Sequence, residues 1–369
     1  MDPVDLRPGR PVRVAMVAMN LVPGGMGGTE TYATSITREF ARRDDVEVRT
    51  IVPGNARGVL VSADERPVGF VRAGHSTPMR LAALAASALG APAIRRRMSG
   101  ADVVHYPFTS FAPAPPAGMP FVTTLHDVQH LDLPEMFGPR DFAYRERYYH
   151  EGARRARLVI TISEFAKRAI VDRLGIPAER VRAIPLGVDH NRFSPSPAPR
   201  GDFVLYPARG WPHKNHARLI EAMARLRERR PELRLVLTGG ALDGLGVLPD
   251  WVERRGLVSV DELTELYRTA AALVYPSLYE GFGLPPLEAM ASGCPVAASR
   301  EGSIPEVCGD AAVLFDPRDP DAIARGILEA IEARERLVPL GISHARRFTW
   351  ERCAADHVAV YRDARGGGA

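Results

Sequence analysis

Short apolar runs alternate with amphipathic stretches along most of the chain. The first run, Val12 to Met19 (VRVAMVAM), is apolar almost throughout, as expected for a strand of a parallel sheet that is covered on both faces. Stretches with helical spacing separate many of the runs, and one of them carries Leu219, Ile220, Met223 and Leu226. Strands that alternate with helices predict an α/β fold built on parallel sheets.

Runs of the same kind predict the remaining strands. In the first half these are Val46 to Val52, Val68 to Val71, Val103 to Tyr106, Phe121 to Leu125, Leu158 to Ile162 and Val181 to Ile184. In the second half they are Phe203 to Tyr206, Leu233 to Thr238, Leu257 to Val260, Ala270 to Tyr275, Val296 to Ala298 and Ala312 to Phe315. Because 369 residues are too many for one ordinary core, we expect two domains.

A polar, proline-rich segment separates the two halves of the chain. Residues 191–201 (NRFSPSPAPRG) are predicted to be the linker between an N-terminal domain, 1–190, and a second domain, 202–347. The last segment, 348–369, is predicted to be a helix followed by a glycine-rich tail.

Composition and charge narrow the class of protein. Hydrophobic residues make up 46% of the chain and charged residues 25%, a globular balance, and the net charge of +4 does not argue for a nucleic-acid partner. Cys294, Cys308 and Cys353 are too few and too scattered for a disulfide framework or a zinc cluster. The N-terminus lacks the apolar core of a signal peptide, and no apolar run is long enough to span a bilayer. A reducing cytoplasm is the expected location.

One stretch raises the question of a membrane surface. The Ala- and Leu-rich segment from Leu81 to Leu89 is followed by Arg95, Arg96 and Arg97. We interpret it as an ordinary amphipathic helix with a solvated end. Peripheral contact with the inner face of an anionic membrane is the alternative.

A glycine-rich loop follows the first strand. It contains Gly25, Gly27 and Gly28 and leads into a helix for which Thr29 is the predicted N-cap. A dinucleotide fingerprint would need a third glycine at the sixth position counted from Gly25, where the chain has Glu30. The loop is therefore interpreted as room for a ligand to approach the backbone.

The stretch YPSLYEGFGLPPLEAMASGCP predicts a strand, a glycine loop and a short helix that two prolines begin and Gly293 ends. Glu280 lies in the loop and Glu288 in the first helical turn. Loop and helix amides can hold an anion, and two carboxylates beside it can accept hydrogen bonds from sugar hydroxyls. Alternatively, Glu288 only complements the helix dipole and Glu280 is solvated.

Other polar residues follow predicted strands. Arg209 and Lys214 lie between a strand and a long helix, where they can clamp a diphosphate or be plain surface residues. Gly239 ends another strand and suits a close approach of backbone to ligand. His126 and Asp127 end a strand where parallel sheets bind ligands, and a structural His–Asp hydrogen bond is the alternative.

The motif EGFGLPPLE resembles the E-x7-E motif of retaining glycosyltransferases, and of family four and its mannosyltransferase-like members in particular. The segment TLHD and the R-x(n)-K-N pattern ahead of the long helix are also similar to that family. The resemblance implies the GT-B fold: two Rossmann-like domains, an interdomain cleft, and a final helix that returns to the N-terminal domain.

The resemblance also implies roles for individual residues. Glu280 would contact the transferred sugar, Glu288 the ribose and His126 the donor sugar, while Arg209 and Lys214 would hold the diphosphate. The implied catalytic residues are His126, Arg209, Lys214 and Glu280. The implied substrate-binding residues are Gly25, Gly27, Gly28, Gly239, Gly281, Phe282, Gly283, Leu284 and Glu288.

The activity implied by the resemblance is transfer of a hexose from a nucleotide diphosphate sugar to a hydroxyl, with retained anomeric configuration. A GDP-mannose-type donor is favoured, with UDP and dTDP sugars as alternatives, and the acceptor is a glycan, a lipid-linked glycan or a small natural product. No cofactor and no metal ion are implied. The competing hypotheses are a sugar-nucleotide epimerase of the same fold and a non-catalytic nucleotide-sugar-binding relative.

Overall fold

The computed structural model describes residues 10–74, 76–109 and 111–366. The chain forms two compact units. The first comprises Met1–Pro185 and Trp350–Ala369, and the second comprises Leu186–Thr349. The chain therefore leaves the first unit after Pro185, ahead of the linker predicted at 191–201. That segment belongs to the second unit, where Phe193 is buried and the Arg268 guanidinium binds the Ser194 carbonyl.

The first unit contains a seven-stranded sheet. Its strands are β1 (Val12–Val17), β2 (Val46–Pro53), β3 (Asp64–Val68), β4 (Val103–Tyr106), β5 (Phe121–Thr124), β6 (Leu158–Thr161) and β7 (Val181–Ala183). Neighbouring strands are parallel, in the order β3-β2-β1-β4-β5-β6-β7. Side chains of both faces are buried in the central strands, which explains their continuous apolar sequences.

Helices connect these strands. They are α1 (Gly28–Phe40), α2 (Thr77–Leu89), α3 (Ala91–Met98), α4 (Gln129–Asp132), α5 (Pro139–Arg145), α6 (Glu151–Arg155) and α7 (Glu164–Leu174), with a π-helical turn at Glu146–His150 between α5 and α6. Ser163 is the N-cap of α7, because its hydroxyl accepts the amide of Ala166.

The second unit contains a six-stranded parallel sheet in the order β10-β9-β8-β11-β12-β13. The strands are β8 (Phe203–Pro207), β9 (Arg234–Thr238), β10 (Val252–Gly256), β11 (Ala272–Tyr275), β12 (Val296–Ser299) and β13 (Val313–Phe315). The helices are α8 (His216–Arg227), α9 (Val260–Thr269), α10 (Leu284–Ala291), α11 (Ile304–Cys308), α12 (Pro320–Glu332) and α13 (Arg334–Ala345).

The final helix, α14 (Trp350–Gly366), belongs to the first unit, where it packs on α1. Its buried side chains include Trp350, Val358 and Tyr361. Within the described ranges, no helix combines the length and the apolar character needed to cross a membrane.

Two predicted strands and one predicted helix cap are wrong. The third strand lies at Asp64–Val68 rather than at Val68 to Val71, and a strand at Val252–Gly256 replaces the one predicted at Leu257 to Val260. Thr29 is not the N-cap of α1, because Gly27, at φ 59°, occupies that position without a side-chain cap.

Each sheet reverses its strand order at one place. The reversal lies between β1 and β4 in the first unit and between β8 and β11 in the second. Open parallel sheets bind ligands outside the carboxyl ends of the strands at such a switch point. The loops that follow these strands are therefore where a site is expected.

Candidate functional site

A buried ion pair lies at the switch point of the second sheet. Lys214 follows β8 and Glu280 follows β11, and the Lys214 Nζ lies 2.5 Å from Glu280 Oε1. Each side chain is only 12% exposed, and the ammonium also lies 5.7 Å from the centre of the Tyr275 ring. Strands that are distant in sequence thus bring two of the predicted catalytic residues into direct contact.

Hydrogen bonds fix the position of Lys214. The backbone of Asn215 is left-handed, at φ 63°, and its side-chain amide donates to the carbonyls of Pro276 and Pro317 at 3.1 and 2.7 Å. The Tyr206 hydroxyl donates to the Lys214 carbonyl at 2.6 Å. The loop after β8 is therefore anchored to the loop after β11.

The loop that carries Glu280 is held from the other side. The Ser303 hydroxyl lies 2.9 Å from the carbonyl oxygen of Glu280 and 2.6 Å from that of Phe282. Gly302, at φ 68°, packs so closely that a Cβ there would lie 2.9 Å from the Glu280 amide nitrogen. A side chain at position 302 would therefore displace the Glu280 backbone.

Two opposing effects determine the ionisation of Glu280. Burial raises its pKa, but the charge and hydrogen bond of Lys214, together with the Ser277 hydroxyl, outweigh burial and hold the pKa below its ordinary value. Glu280 is therefore a carboxylate at neutral pH.

Glu288 lies in a different environment on α10. Burial raises its pKa to about 7, and only the Tyr267 hydroxyl, which donates to Glu288 Oε2 at 3.0 Å, opposes that effect. The two prolines lie in the first turn of α10 as predicted, after Leu284 and the N-cap Gly283, which has φ 116°. Glu288, predicted in that first turn, lies beyond it. The predicted site residues Phe282 and Leu284, on either side of Gly283, are buried.

The loops after β8 and β9 also approach each other. Gly239, at φ 130°, lies so near Ala208 that a Cβ would be 2.4 Å from its carbonyl oxygen. Within the loop after β8, the guanidinium carbon of Arg209 lies 5.4 Å from the centre of the Trp211 ring. The predicted Gly239 is therefore required by close backbone packing.

In the first unit, His126 follows β5. Its ring Nε2 donates to the carbonyl of Pro107 at 3.2 Å, and its ring meets that of Tyr32 edge-on at 5.1 Å. Desolvation lowers the pKa of His126, although Asp127 and the Pro107 hydrogen bond oppose this. The Asp127 carboxylate accepts the amide of Gln129. The neutral ring thus has Nδ1 as an acceptor, and its hydrogen bond is not the His–Asp bond considered from the sequence.

The glycine loop after β1 is arranged around Glu30. The Glu30 carboxylate accepts the amides of Gly24 at 2.8 Å and Met26 at 3.3 Å, and the amide of Gly25 donates to the Val22 carbonyl. Gly28 is the first residue of α1. Part of the loop therefore already binds a carboxylate from its own helix.

A chain of buried hydrogen bonds, which the sequence did not predict, joins α14 to the first sheet. It runs through Tyr361, His105, Thr124, Tyr32, His357 and Cys353, with each contact between 2.8 and 2.9 Å. Because His357 Nδ1 must donate to the Cys353 carbonyl, its Nε2 accepts from Tyr32. Thr124 then donates to Tyr32, and His105 donates to Thr124 and accepts from Tyr361. The direction of every hydrogen bond in this series is therefore determined.

Further supporting residues were missed by sequence reasoning. Ser303 binds the backbone of the Glu280 loop, and Asn215 joins the loop after β8 to the loop after β11. Tyr267 binds the Glu288 carboxylate. Among the described residues, no group of three His, Cys, Asp or Glu side chains is placed to hold a metal ion. That the reaction needs no metal ion stays a prediction, which an assay in the presence of a chelator would test.

Two parallel sheets of the same strand order, each with polar loops at its switch point, define the GT-B class of glycosyltransferases. The family described as Glycosyltransferase Family 4 matches residues 26–192, and that described as Glycosyl transferases group 1 matches residues 188–342. The chain is 35% identical over 267 residues to O-antigen chain mannosyltransferase B of Escherichia coli, covering 65% of this chain and 70% of that protein. The chain belongs to glycosyltransferase family four.

Two further comparisons agree. The chain is 36% identical over 228 residues to MMP alpha-(1->4)-mannosyltransferase of Mycolicibacterium hassiacum, covering 58% of this chain and 55% of that protein. The structure of sucrose-phosphate synthase from Thermosynechococcus elongatus superimposes with a TM-score of 0.76 and 21% identity, covering 95% of this chain and 98% of that one. At that identity the structural likeness supports the fold alone.

Proposed function

We propose that this glycosyltransferase transfers a hexose from a nucleotide diphosphate sugar to a hydroxyl acceptor with retained anomeric configuration. The observation that carries the proposal is the buried Lys214–Glu280 pair at the carboxyl ends of β8 and β11, with Glu288 on the helix that follows. A cation, a carboxylate and a second buried carboxylate are what the diphosphate, the sugar and the ribose of such a donor require.

The diphosphate would lie against the basic side of this site. Lys214 donates one of its three N–H groups to Glu280, so the other two can donate to phosphate oxygens. Negative charge grows on the diphosphate as the glycosidic bond breaks, and a fixed ammonium stabilises that charge where it develops. Arg209, in the same loop, would add a planar fork of donors.

The two carboxylates would hold the hydroxyl groups of the donor. Glu280 is ionised and fixed through its backbone, so it would orient the sugar, while Glu288 would accept the ribose hydroxyls. His126 of the first unit has Nδ1 as an acceptor for a sugar hydroxyl. Glu280 is held by Lys214 rather than poised as a nucleophile, which favours a route in which the departing phosphate deprotonates the acceptor.

Mannose from GDP-mannose is the proposed donor group, because two relatives above 30% identity carry names of mannosyltransferases. UDP and dTDP sugars are the alternatives that the experiment below must separate. For the acceptor we propose a hydroxyl of a glycan, a lipid-linked glycan or a small natural product. The cytoplasm is the proposed location, since Cys294, Cys308 and Cys353 are free thiols.

The experiment is thermal unfolding with GDP-mannose and with UDP, dTDP and ADP sugars, in the wild type, Lys214→Ala and Lys167→Ala. A donor that binds only the native state raises the melting temperature. We expect the increase with GDP-mannose, its loss in Lys214→Ala and its retention in Lys167→Ala. The chain has only these two lysines, and Lys167 lies on α7 of the first unit, so it is a matched control.

The product then tests the reaction itself. Proton NMR of the product formed with a hydroxyl acceptor should show the anomeric configuration of the donor. An inverted product would contradict retention, and an isomerised donor in the absence of acceptor would indicate an epimerase. A temperature shift that survives in Lys214→Ala would contradict the assignment of the diphosphate site.

A further inference from the structure

Tyr267 lies near the end of α9 and reaches Glu288 on the neighbouring helix α10. Its side chain is fully buried, and its hydroxyl donates to Glu288 Oε2 at 3.0 Å. Glu288 is partly exposed, and within the described residues its second oxygen, Oε1, accepts no hydrogen bond. One carboxylate oxygen is therefore held by the protein, and the other remains for a ligand.

The ring of Tyr267 is fixed by the segment that precedes the second sheet. The Phe193 ring meets it edge-on, with 5.9 Å between the ring centres. The next residue of α9, Arg268, donates through Nε to the carbonyl of Ser194 at 2.8 Å. These contacts hold the last turn of α9 in place, so the Tyr267 hydroxyl has a defined position.

A second contact joins the two helices at their carboxyl ends. The Arg200 guanidinium donates through one nitrogen to the carbonyl of Ala270, which directly follows α9, at 2.7 Å. Through another nitrogen it donates to the carbonyl of Gly293, which lies just beyond α10. The separation of Tyr267 and Glu288 is therefore set by the packing of α9 and α10, and not by their hydrogen bond alone.

The surroundings of Glu288 contrast with those of Glu280. Glu280 is paired with the ammonium of Lys214, whereas within the described residues no cation pairs with Glu288. Burial raises the pKa of Glu288 to about 7, and the Tyr267 hydroxyl is the one described group that lowers it. A neutral donor supports the carboxylate without neutralising its charge, so the carboxylate can still accept from a ligand.

We propose that Tyr267 is a positioning residue for donor binding, which holds Oε2 of Glu288 so that Oε1 remains for the ribose hydroxyls of the nucleotide. The inference rests on the proposed function, which assigns the ribose to Glu288. Phenylalanine has the same ring, so Tyr267→Phe removes this function and keeps the packing.

The first measurement is the titration of Glu288 in the protein without ligand. NMR of protein with isotope-labelled glutamate carboxyls follows each signal with pH, and the signal missing in Glu288→Gln identifies the residue. We expect a wild-type midpoint of about 7. In Tyr267→Phe it should rise by about one pH unit, because a hydrogen bond to a charged group changes the equilibrium about tenfold. The control Tyr361→Phe removes a buried hydroxyl of the first unit and should not move the midpoint.

The second measurement is calorimetric titration with GDP, UDP, dTDP and ADP at pH 7. The nucleotide that binds the wild type most tightly should bind Tyr267→Phe about fivefold more weakly, because a midpoint one unit higher leaves about a tenth of Glu288 ionised instead of half. Glu288→Gln should lose at least as much affinity. Tyr361→Phe should bind like the wild type.

Unchanged affinity in Tyr267→Phe would overturn the inference, whether or not the midpoint moves. A loss of affinity with an unmoved midpoint would also overturn it, since that result indicates a general effect on the fold. In both cases, weaker binding by Glu288→Gln leaves the proposed function intact.

Failure of the proposed function has a different signature. Equal binding by Glu288→Gln and the wild type would contradict the assignment of the ribose to Glu288, and binding of none of the four nucleotides would contradict the nucleotide donor itself. The inference about Tyr267 would fall with either result.

Discussion

In the proposed reaction, the Lys214–Glu280 pair would serve both catalysis and the stability of the second unit. Both side chains are nearly buried, so each charge depends on the other. From the sequence alone, Glu280→Ala is expected to remove activity and leave the melting temperature nearly unchanged. The structure changes the second expectation, because an unpaired buried ammonium is costly.

Glu280→Ala should therefore lower transfer by about 100- to 1,000-fold and destabilise the second unit by about 3 kcal/mol. Enzyme assays and urea unfolding measure the two effects. The double variant Glu280→Ala/Lys214→Ala should recover part of the lost stability, since no buried charge is left alone. Full activity in Glu280→Ala would contradict the site, and unchanged stability would contradict the buried pair.

The raised pKa of Glu288 has the opposite consequence for stability. The folded state binds the proton more tightly than the unfolded chain, so stability falls as the pH rises from about 4.5 to about 7. A shift of this size corresponds to about 3 kcal/mol. Glu288→Gln keeps an uncharged side chain at every pH, so at pH 8 it should resist urea better than the wild type. Equal urea midpoints at pH 8 would contradict the raised pKa.

The spacing of Glu280 and Glu288 could be read from the sequence because both lie in one continuous motif. The residues that hold these two side chains in place could not be predicted from the sequence. Tyr267 lies 21 residues before Glu288 and Ser303 lies 23 residues after Glu280. Neither belongs to a recognisable motif, and only the parallel sheet brings these loops together.

Among the secondary-structure elements, the strands that are buried on both faces are the ones that the sequence predicts well. The central strands are apolar on both faces, and their positions were predicted to within two residues or fewer. The two strands that were misplaced, β3 (DERPV) and β10 (VERRG), are edge strands of their sheets. An edge strand is paired on one side only and tolerates polar residues, so no apolar run identifies these two. The other edge strands, β7 and β13, are mostly apolar and were predicted.

The hydrogen-bond chain that binds α14 gives an ordered pair of substitutions. The Tyr32 hydroxyl binds two buried partners, Thr124 and His357, whereas among the residues that the structure describes the Tyr361 hydroxyl binds His105 alone. Each buried group left without a partner costs about 1–3 kcal/mol. Tyr32→Phe should therefore lower the free energy of unfolding of the first unit more than Tyr361→Phe, as measured by urea unfolding. Equal losses, or the reverse order, would contradict the two partners assigned to Tyr32 and the one assigned to Tyr361.

For the molecule as a whole, several buried histidines are held in the neutral form. Burial lowers the pKa of His105, His126, His130, His150 and His357 in the first unit, and of His216 in the second. The unfolded chain takes up protons on these groups near pH 6.5, and the folded chain does so at lower pH, near 4 for His357. The first unit should therefore lose stability as the pH falls from about 6.5 towards 4.

Trp350, buried at the start of α14, reports on the first unit when Trp211 and Trp251 of the second are replaced by Phe. In that variant, the urea midpoint followed by Trp350 fluorescence should fall steadily between pH 6.5 and pH 4.5. A midpoint that does not change over this range would contradict the neutral state of these histidines.

The division of the chain has a consequence for its synthesis. The whole second unit, Leu186–Thr349, is inserted between the body of the first unit and its last helix, α14. A ribosome therefore releases the second unit complete while the first still lacks the helix that covers Tyr32, His105 and Thr124. Although domains usually fold in the order of their synthesis, here the unit that begins the chain is the last to be finished.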